Sequence, residues 1–330
     1  MLPRSTLIFP VWLAVGVTTL AVLFAAFVGP DFLAGHWQYP ATMVLGAFVA
    51  GSTPMGGGAV AFPVLSIFLE IDRTLARDFS LMIQSVGMTS ASIFLLTRPS
   101  ANLRDYRPLL WWVPVAFVGF AIGMVTLQGI RVPVIQAMFL SLTMAFAVAY
   151  CLSQHRGRGE SLAIRGPMDV AMIALVLLLG GAVTSLFGTG VDILLYTLLV
   201  TRFRLSERRA TELSVVLMAS LSLLGFAWRA GVDRELTASE FRVWLCAAPV
   251  VLFMAPLGSK VLRQINAEWM LRAIAALGVS QMLYFNLQRP TVEKAMWSLG
   301  LSAVLLILFV VLLGRLSSLD RAKAAGDLIR

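Results

Sequence analysis

The stretch that most limits what this chain can fold into is Gly51-Ser52-Thr53-Pro54-Met55-Gly56-Gly57-Gly58-Ala59-Val60-Ala61-Phe62-Pro63. Apolar sequence flanks it on both sides, Ala41–Ala50 before and Val64–Leu69 after. In a helix interior a glycine costs about 1 kcal/mol and a proline about 3. Three consecutive glycines between two prolines therefore interrupt any helix drawn through this run. Backbone released from its helix inside lipid must find protein, ligand or water partners. The stretch predicts a half-helix ending near Met55, a bare hinge, and a second half-helix starting near Ala59. The first N–H groups of that second half carry about half a positive charge and face the hinge. That is an anion site made of backbone.

Composition sets the surroundings of the hinge. The chain is 59% hydrophobic and 13% charged, with a mean hydropathy of +0.86. A soluble domain carries about 25% charged residues. The fold class is all-α, a polytopic membrane protein. The formal charge of +9 lies in short segments between apolar runs, so it serves topology and anionic headgroups and not nucleic acid. Leu7–Gly29 exceeds the apolar core of a signal peptide and suits a retained transmembrane helix. Cys151 and Cys246 sit in apolar runs and read as core packing. His36 and His155 fall in polar loops, and the chain has no His-Glu-x-x-His motif, nucleophile elbow or phosphate loop. No enzyme activity, cofactor or metal is expected.

A second copy of the hinge lies 132 positions on, at Thr184-Ser185-Leu186-Phe187-Gly188-Thr189-Gly190. At that offset Ser52 meets Thr184, Thr53 meets Ser185, Gly56 meets Gly188 and Gly58 meets Gly190. Further on, Thr74 meets Ser206, Arg77 meets Arg209 and Leu81 meets Leu213. An offset of 135 then aligns Pro114 with Pro249 and Gly123 with Gly258. Two interrupted apolar segments in corresponding halves point to a transporter's binding site. The division that follows is 1–40, a helix and loop; 41–154, the first repeat; 155–167, a cytoplasmic linker; 168–288, the second repeat; and 289–330, a last helix and basic tail.

The glycine cluster closing on a proline, Gly56 to Pro63, and its repetition resemble the sulfite exporter TauE/SafE family, also called toluene-sulfonate uptake permeases. The resemblance covers about Ala41–Gln288. In the second copy Thr189 replaces the middle glycine, Leu195 stands where Pro63 would, and Asp192 is an acid in an apolar run. The resemblance implies a bacterial inner-membrane transporter for sulfite, a sulfonate or a related small anion.

Charge distribution bears on topology. If each interrupted segment crosses the membrane once, the 26 Lys and Arg divide 15 against 11; if each is re-entrant, 18 against 8. The positive-inside rule favours the second arrangement. It gives eight full spans, two re-entrant segments with halves too short to span, two inverted repeats and both termini cytoplasmic.

The candidate substrate-binding residues are Ser52, Thr53, Gly56, Gly57, Gly58, Arg77, Gln84, Ser85, Thr184, Ser185, Gly188, Thr189, Gly190 and Arg209. Each has a plainer reading. The glycines could serve helix packing, and the hydroxyls could bond a carbonyl one turn back. Ser80 and Gln84 share a helix face at i, i+4, and an interhelical hydrogen bond would explain the glutamine. Thr74 and Ser206 are placed to cap the helices that begin there, with Arg77 and Arg209 three residues on, and either arginine could snorkel to headgroups. Asp192 and Glu212 are the acids at membrane depth, available for proton coupling or, for Asp192, for capping a helix dipole.

These residues predict a secondary transporter for a small anion, working by alternating access. The rival is a non-transporting membrane subunit whose glycines serve packing. Beyond the anion and the bilayer, the expected partners are a coupling proton and a second copy of the chain.

Overall fold

The protein is described by a computed structural model for residues 5–152, 159–164, 166–261, 264, 267–288 and 290–327. His155 and most of the polar linker, and the terminal Arg330, lie outside the described residues. Among the described residues there are thirteen α-helices and no strand. They are α1 (Ser5–Phe27), α2 (Pro30–Gly35), α3 (Gln38–Ser52), α4 (Gly58–Pro63), α5 (Arg73–Leu96), α6 (Leu109–Thr126) and α7 (Val132–Leu152). Then follow α8 (Pro167–Phe187), α9 (Val191–Thr201), α10 (Glu207–Trp228), α11 (Ala238–Val261), α12 (Ala267–Leu287) and α13 (Val292–Asp327). Among the described residues, eight are long and apolar enough to cross a membrane: α1, α5, α6, α7, α8, α10, α11 and α13. The chain is an all-helical integral membrane protein.

Both glycine stretches break their helices. The first break separates α3 from α4, which continues as a π-helical turn over Val64–Phe68; the second separates α8 from α9. The halves are unequal. α3 has 15 residues and α8 has 21, about 31 Å at 1.5 Å per residue. α8 is thus long enough to cross a core of about 30 Å, against the expectation that every half is too short. The run from Met168 to Phe187 holds no proline, so nothing stops α8 before Gly188. A second departure is α2, a short helix in what the sequence suggested was a loop; Pro30 sits in its first turn, where its missing N–H costs nothing. A third concerns capping. Asp72, and not Thr74, caps α5, accepting from the N–H groups of Thr74 (2.8 Å) and Leu75 (3.3 Å). Ser206 does precede α10, but its buried hydroxyl has no partner.

The helices form two compact units, each drawing on both halves of the sequence. The first comprises Met1–Gly129, Gly166–Tyr196 and Thr211–Gln264; the second comprises Ile130–Arg165, Thr197–Ala210 and Ile265–Arg330. In the second unit α7 packs against α12 and α13, with Ser141 Oγ donating to the Ser298 carbonyl at 3.0 Å.

The first unit is built on two close helix pairs, α3 with α11 and α6 with α8. A methyl group added at Gly51 would overlap the Ala255 carbonyl, and one at Gly258 the Phe48 carbonyl. Methyls at Gly119 and Gly181 would overlap the carbonyls of Leu178 and Ala116. Small residues at such crossings let backbones approach where lipid supplies no hydrophobic force between helices. The sequence offset carries α3 onto α8 and α6 onto α11, so the two pairings are counterparts.

α5 and α10 run antiparallel, tied at both ends by charged side chains. Arg229, just past the end of α10, grips Asp78 near the start of α5 with NH2–Oδ2 at 2.8 Å. Arg98, just past the end of α5, holds Glu212 near the start of α10 at 2.8 Å. Each interrupted segment also begins and ends at one face. Tyr39, at the start of α3, lies 5.3 Å from the Phe79 ring early in α5. Gly159, before α8, exchanges backbone hydrogen bonds with the strip before α10: Gly159 N–H to the Arg204 carbonyl (2.8 Å) and Ser206 N–H to the Gly159 carbonyl (2.7 Å).

The glycine crossings set the first testable expectation. Gly181→Val should cost at least the ~1–3 kcal/mol of an overpacked core, because the Ala116 backbone opposite has no rotamer to change. Gly300→Val, in open space, should leave folding intact. Thermal unfolding of both variants in detergent checks this.

Candidate functional site

The two breaks come together beside α5. After α3 the chain reaches Gly56 in the left-handed region at φ +65°, a conformation that favours glycine. After α8, Gly188 at φ +77° closes the helix, its N–H bonding the Thr184 carbonyl at 2.8 Å, and Gly190 follows at φ +140°. A β-carbon on Gly56 would stand 2.5 Å from Asp192 Oδ2, 2.5 Å from Thr189 Oγ1 and 2.9 Å from Gln84 Oε1. One on Gly58 would meet Thr189 Cγ2 at 2.6 Å and Ser80 Oγ at 2.8 Å. The Phe62 and Phe187 rings pack edge-on at 5.7 Å across the same junction.

Freed backbone groups are satisfied by side chains. Thr53 Oγ1 donates to the Val49 carbonyl and accepts from Met55 N–H at 3.2 Å. Thr184 Oγ1 donates to the Gly180 carbonyl and accepts from Val191 N–H at 3.0 Å. Asp192 Oδ1 accepts from the N–H groups of Gly190 and Ile193, both at 3.0 Å, so the carboxylate caps α9 from within its first turn. Gln84 Nε2 donates to the Gly188 carbonyl at 2.7 Å and to Ser80 Oγ at 3.0 Å. Ser80 and Gln84 thus make α5 the post on which both breaks rest.

The structure brings together Gly56, Gly58, Ser80, Gln84, Gly188, Thr189 and Asp192. Gly57 is adjacent in sequence but has room: a β-carbon there would make ordinary contacts, at 3.5 Å with Ala50 Cβ. Ser52, Ser85 and Ser185 bond carbonyls of their own helices. Arg77 contributes its backbone, whose carbonyl faces Gly188. Its guanidinium turns away, with Nε on Asp78 Oδ1 at 2.8 Å and NH1 on Gln128 Oε1 at 2.5 Å. It is 2% exposed, so it does not snorkel. Arg209 belongs to the second unit, with Nε 3.6 Å from Glu160 Oε2. Glu212 accepts from Arg98 at 2.8 Å and from the Tyr106 hydroxyl at 3.1 Å.

The sequence reading missed Asp78, Arg229 and Gln128. Two signals were present: an Arg77-Asp78 dipeptide inside a spanning run, and an arginine, Arg98 or Arg229, just past the end of each of two corresponding helices.

The three glycines should therefore respond differently. Gly56→Ala forces alanine into the left-handed region, about 1–2 kcal/mol, and drives its methyl into Asp192 and Thr189. Gly57→Ala, in right-handed helical backbone, should be tolerated. Thermal unfolding should separate the two, with Gly56→Ala several degrees lower.

Comparison with curated proteins and with solved structures returned no match. A family profile did match: the one described as Sulfite exporter TauE/SafE, over residues 39–285. Both breaks, α5, α10 and both close helix pairs fall inside that range. The chain belongs to the sulfite exporter TauE/SafE family of membrane transporters.

Proposed function

We propose that this protein is a secondary transporter for a small anion, with sulfite, a sulfonate or another sulfur-containing or organic anion as its substrate. The observation that carries the reading is the meeting of two interrupted helices at their breaks, around Ser80 and Gln84 of a third. Broken helices near the midplane are where carriers hold substrates and coupling ions. At α9 the N-terminal N–H groups are taken by Asp192. The anion's place is then the Gly56–Gly58 backbone at the start of α4, with the Ser80 hydroxyl beside it. A packing role for the glycines is less favoured, because close packing falls to Gly51, Gly119, Gly181 and Gly258.

Re-entrant topology with inverted repeats is part of the proposal. Entry and exit of each interrupted segment at one face support it, as does the antiparallel run of α5 and α10. With single crossings α5 and α10 would run parallel. The inside is assigned by charge, which puts Gly159 in the cytoplasm of a bacterial inner membrane and Asp233 outside. Alternating access then requires the arginine–carboxylate ties at the two ends of α5 and α10 to open in turn. They lie about 30 Å apart along α5, one at each mouth of the path.

The decisive experiment is flux. Purified protein in liposomes should carry radiolabelled sulfite saturably, in one or both directions, with competition from thiosulfate, toluenesulfonate or small carboxylates. Folded protein that neither moves nor binds any of these would refute transport of this class. Single cysteines at Gly159 and Asp233, in protein lacking Cys151 and Cys246, should label from opposite sides; labelling from one side would refute the re-entrant topology.

A further inference from the structure

Asp192 is fully buried, and among the described residues no Lys, Arg or His pairs with it. Its Oδ1 is engaged by two backbone N–H groups, while Oδ2 has only the Thr189 hydroxyl, at 3.1 Å. Gln84 is 2% exposed, and the orientation of its amide is set by its neighbours. Nε2 must face the Gly188 and Ser80 carbonyls, because the reverse orientation would set oxygen against oxygen. That leaves Gln84 Oε1 buried with no donor. It points to where Asp192 Oδ2 and Thr189 Oγ1 also point, since all three lie within 2.5–2.9 Å of one position beside the Gly56 Cα. The Thr189 hydroxyl can turn its proton toward the Met55 carbonyl, 3.5 Å away, and present its lone pairs to the cluster. Three side-chain oxygens then converge, with no hydrogen to share among them.

We propose that this cluster is a binding site for a monovalent metal cation, Na⁺, formed by Asp192, Thr189 and Gln84. Hard oxygen ligands suit such an ion, and one carboxylate matches a single positive charge. Among the described residues no group of three His, Cys, Asp or Glu could hold a more highly charged ion. A proton on Asp192 would serve two oxygens, whereas Na⁺ serves all three. Broken-helix crossings supply this kind of cation site in other carriers. The inference deepens the transport reading, since Na⁺ here would cancel the carboxylate that otherwise repels an anion from Gly56–Gly58. Cation binding itself stands whether or not sulfite is the cargo.

The test needs no anion substrate. Thermal unfolding of the purified protein is followed in NaCl against choline chloride at equal ionic strength. Wild type should gain about 5 °C at saturating Na⁺. Asp192→Asn keeps an oxygen for the α9 cap and should lose that gain, as should Gln84→Leu; Ser85→Ala should keep it. Direct ²²Na⁺ binding to wild type should saturate at one ion per chain. Equal unfolding in both salts with no ²²Na⁺ bound would overturn the site, including the case in which stability follows pH alone. A full Na⁺ gain in Asp192→Asn would place the ion elsewhere and overturn it too. Loss of sulfite flux alongside an intact Na⁺ gain would remove the transport reading and leave this one standing.

Discussion

Inside a bilayer a broken helix has nowhere to send its backbone hydrogen bonds except to other protein groups, and that constraint governs the first unit of this molecule. Each interruption is closed by a threonine one turn before it. Thr53 accepts from Met55 N–H and Thr184 from Val191 N–H. The Asp192 carboxylate closes the start of α9, and the Gln84 amide takes the Gly188 carbonyl. These bonds require α5 to pass directly between the breaks, and Ser80 and Gln84, one turn apart, are the face it presents there. The close pairs α3–α11 and α6–α8 then hold the longer limbs of the breaks on glycine crossings.

Helix breaks are written in local chemistry, so they could be read from the chain. Pro54, Gly56–Gly58 and Gly188–Gly190 leave no uninterrupted helix, and the structure breaks at both places. Asp192 as a helix cap was legible for the same reason, since it lies in the first turn after a glycine. The roles of the hydroxyls were less so. Thr53 and Thr184 carry the same residue type whether they tie backbone or contact a ligand, and only the geometry separates the two. Gly57 and Gly56 are indistinguishable as letters, yet one is helical and the other left-handed. The length of α8 was misjudged because the polar linker before it gives no sharp signal of where a helix begins.

Long-range charge pairing was the least legible part. Arg77 looked like a residue reaching for headgroups or anions, and its own neighbour Asp78 holds it, with Arg229 arriving from 151 positions away. Glu212 looked available for protons and is engaged by Arg98 and Tyr106. Removing one partner of a buried pair costs about 3–5 kcal/mol, because the other charge is stranded. Such residues resist substitution for reasons of fold alone, which makes their loss of activity on mutation a poor guide to the substrate site.

The dependence of the first break on the second has a consequence for biosynthesis. Gly56 is packed against Thr189 and Asp192, which the ribosome adds more than 130 residues later. At about 5–20 residues per second, the first break waits on the order of 10 s before its partner exists. The second break meets no such delay, because Ser80 and Gln84 are already in the membrane when Gly188 arrives. During that interval the triple glycine is a stretch of unpaired backbone within an apolar run, exposed to whatever the insertion machinery offers it. The more degenerate copy, Gly188-Thr189-Gly190, is the one that enters a finished mould; the copy with three glycines is the one that must hold an adaptable shape until that mould is complete.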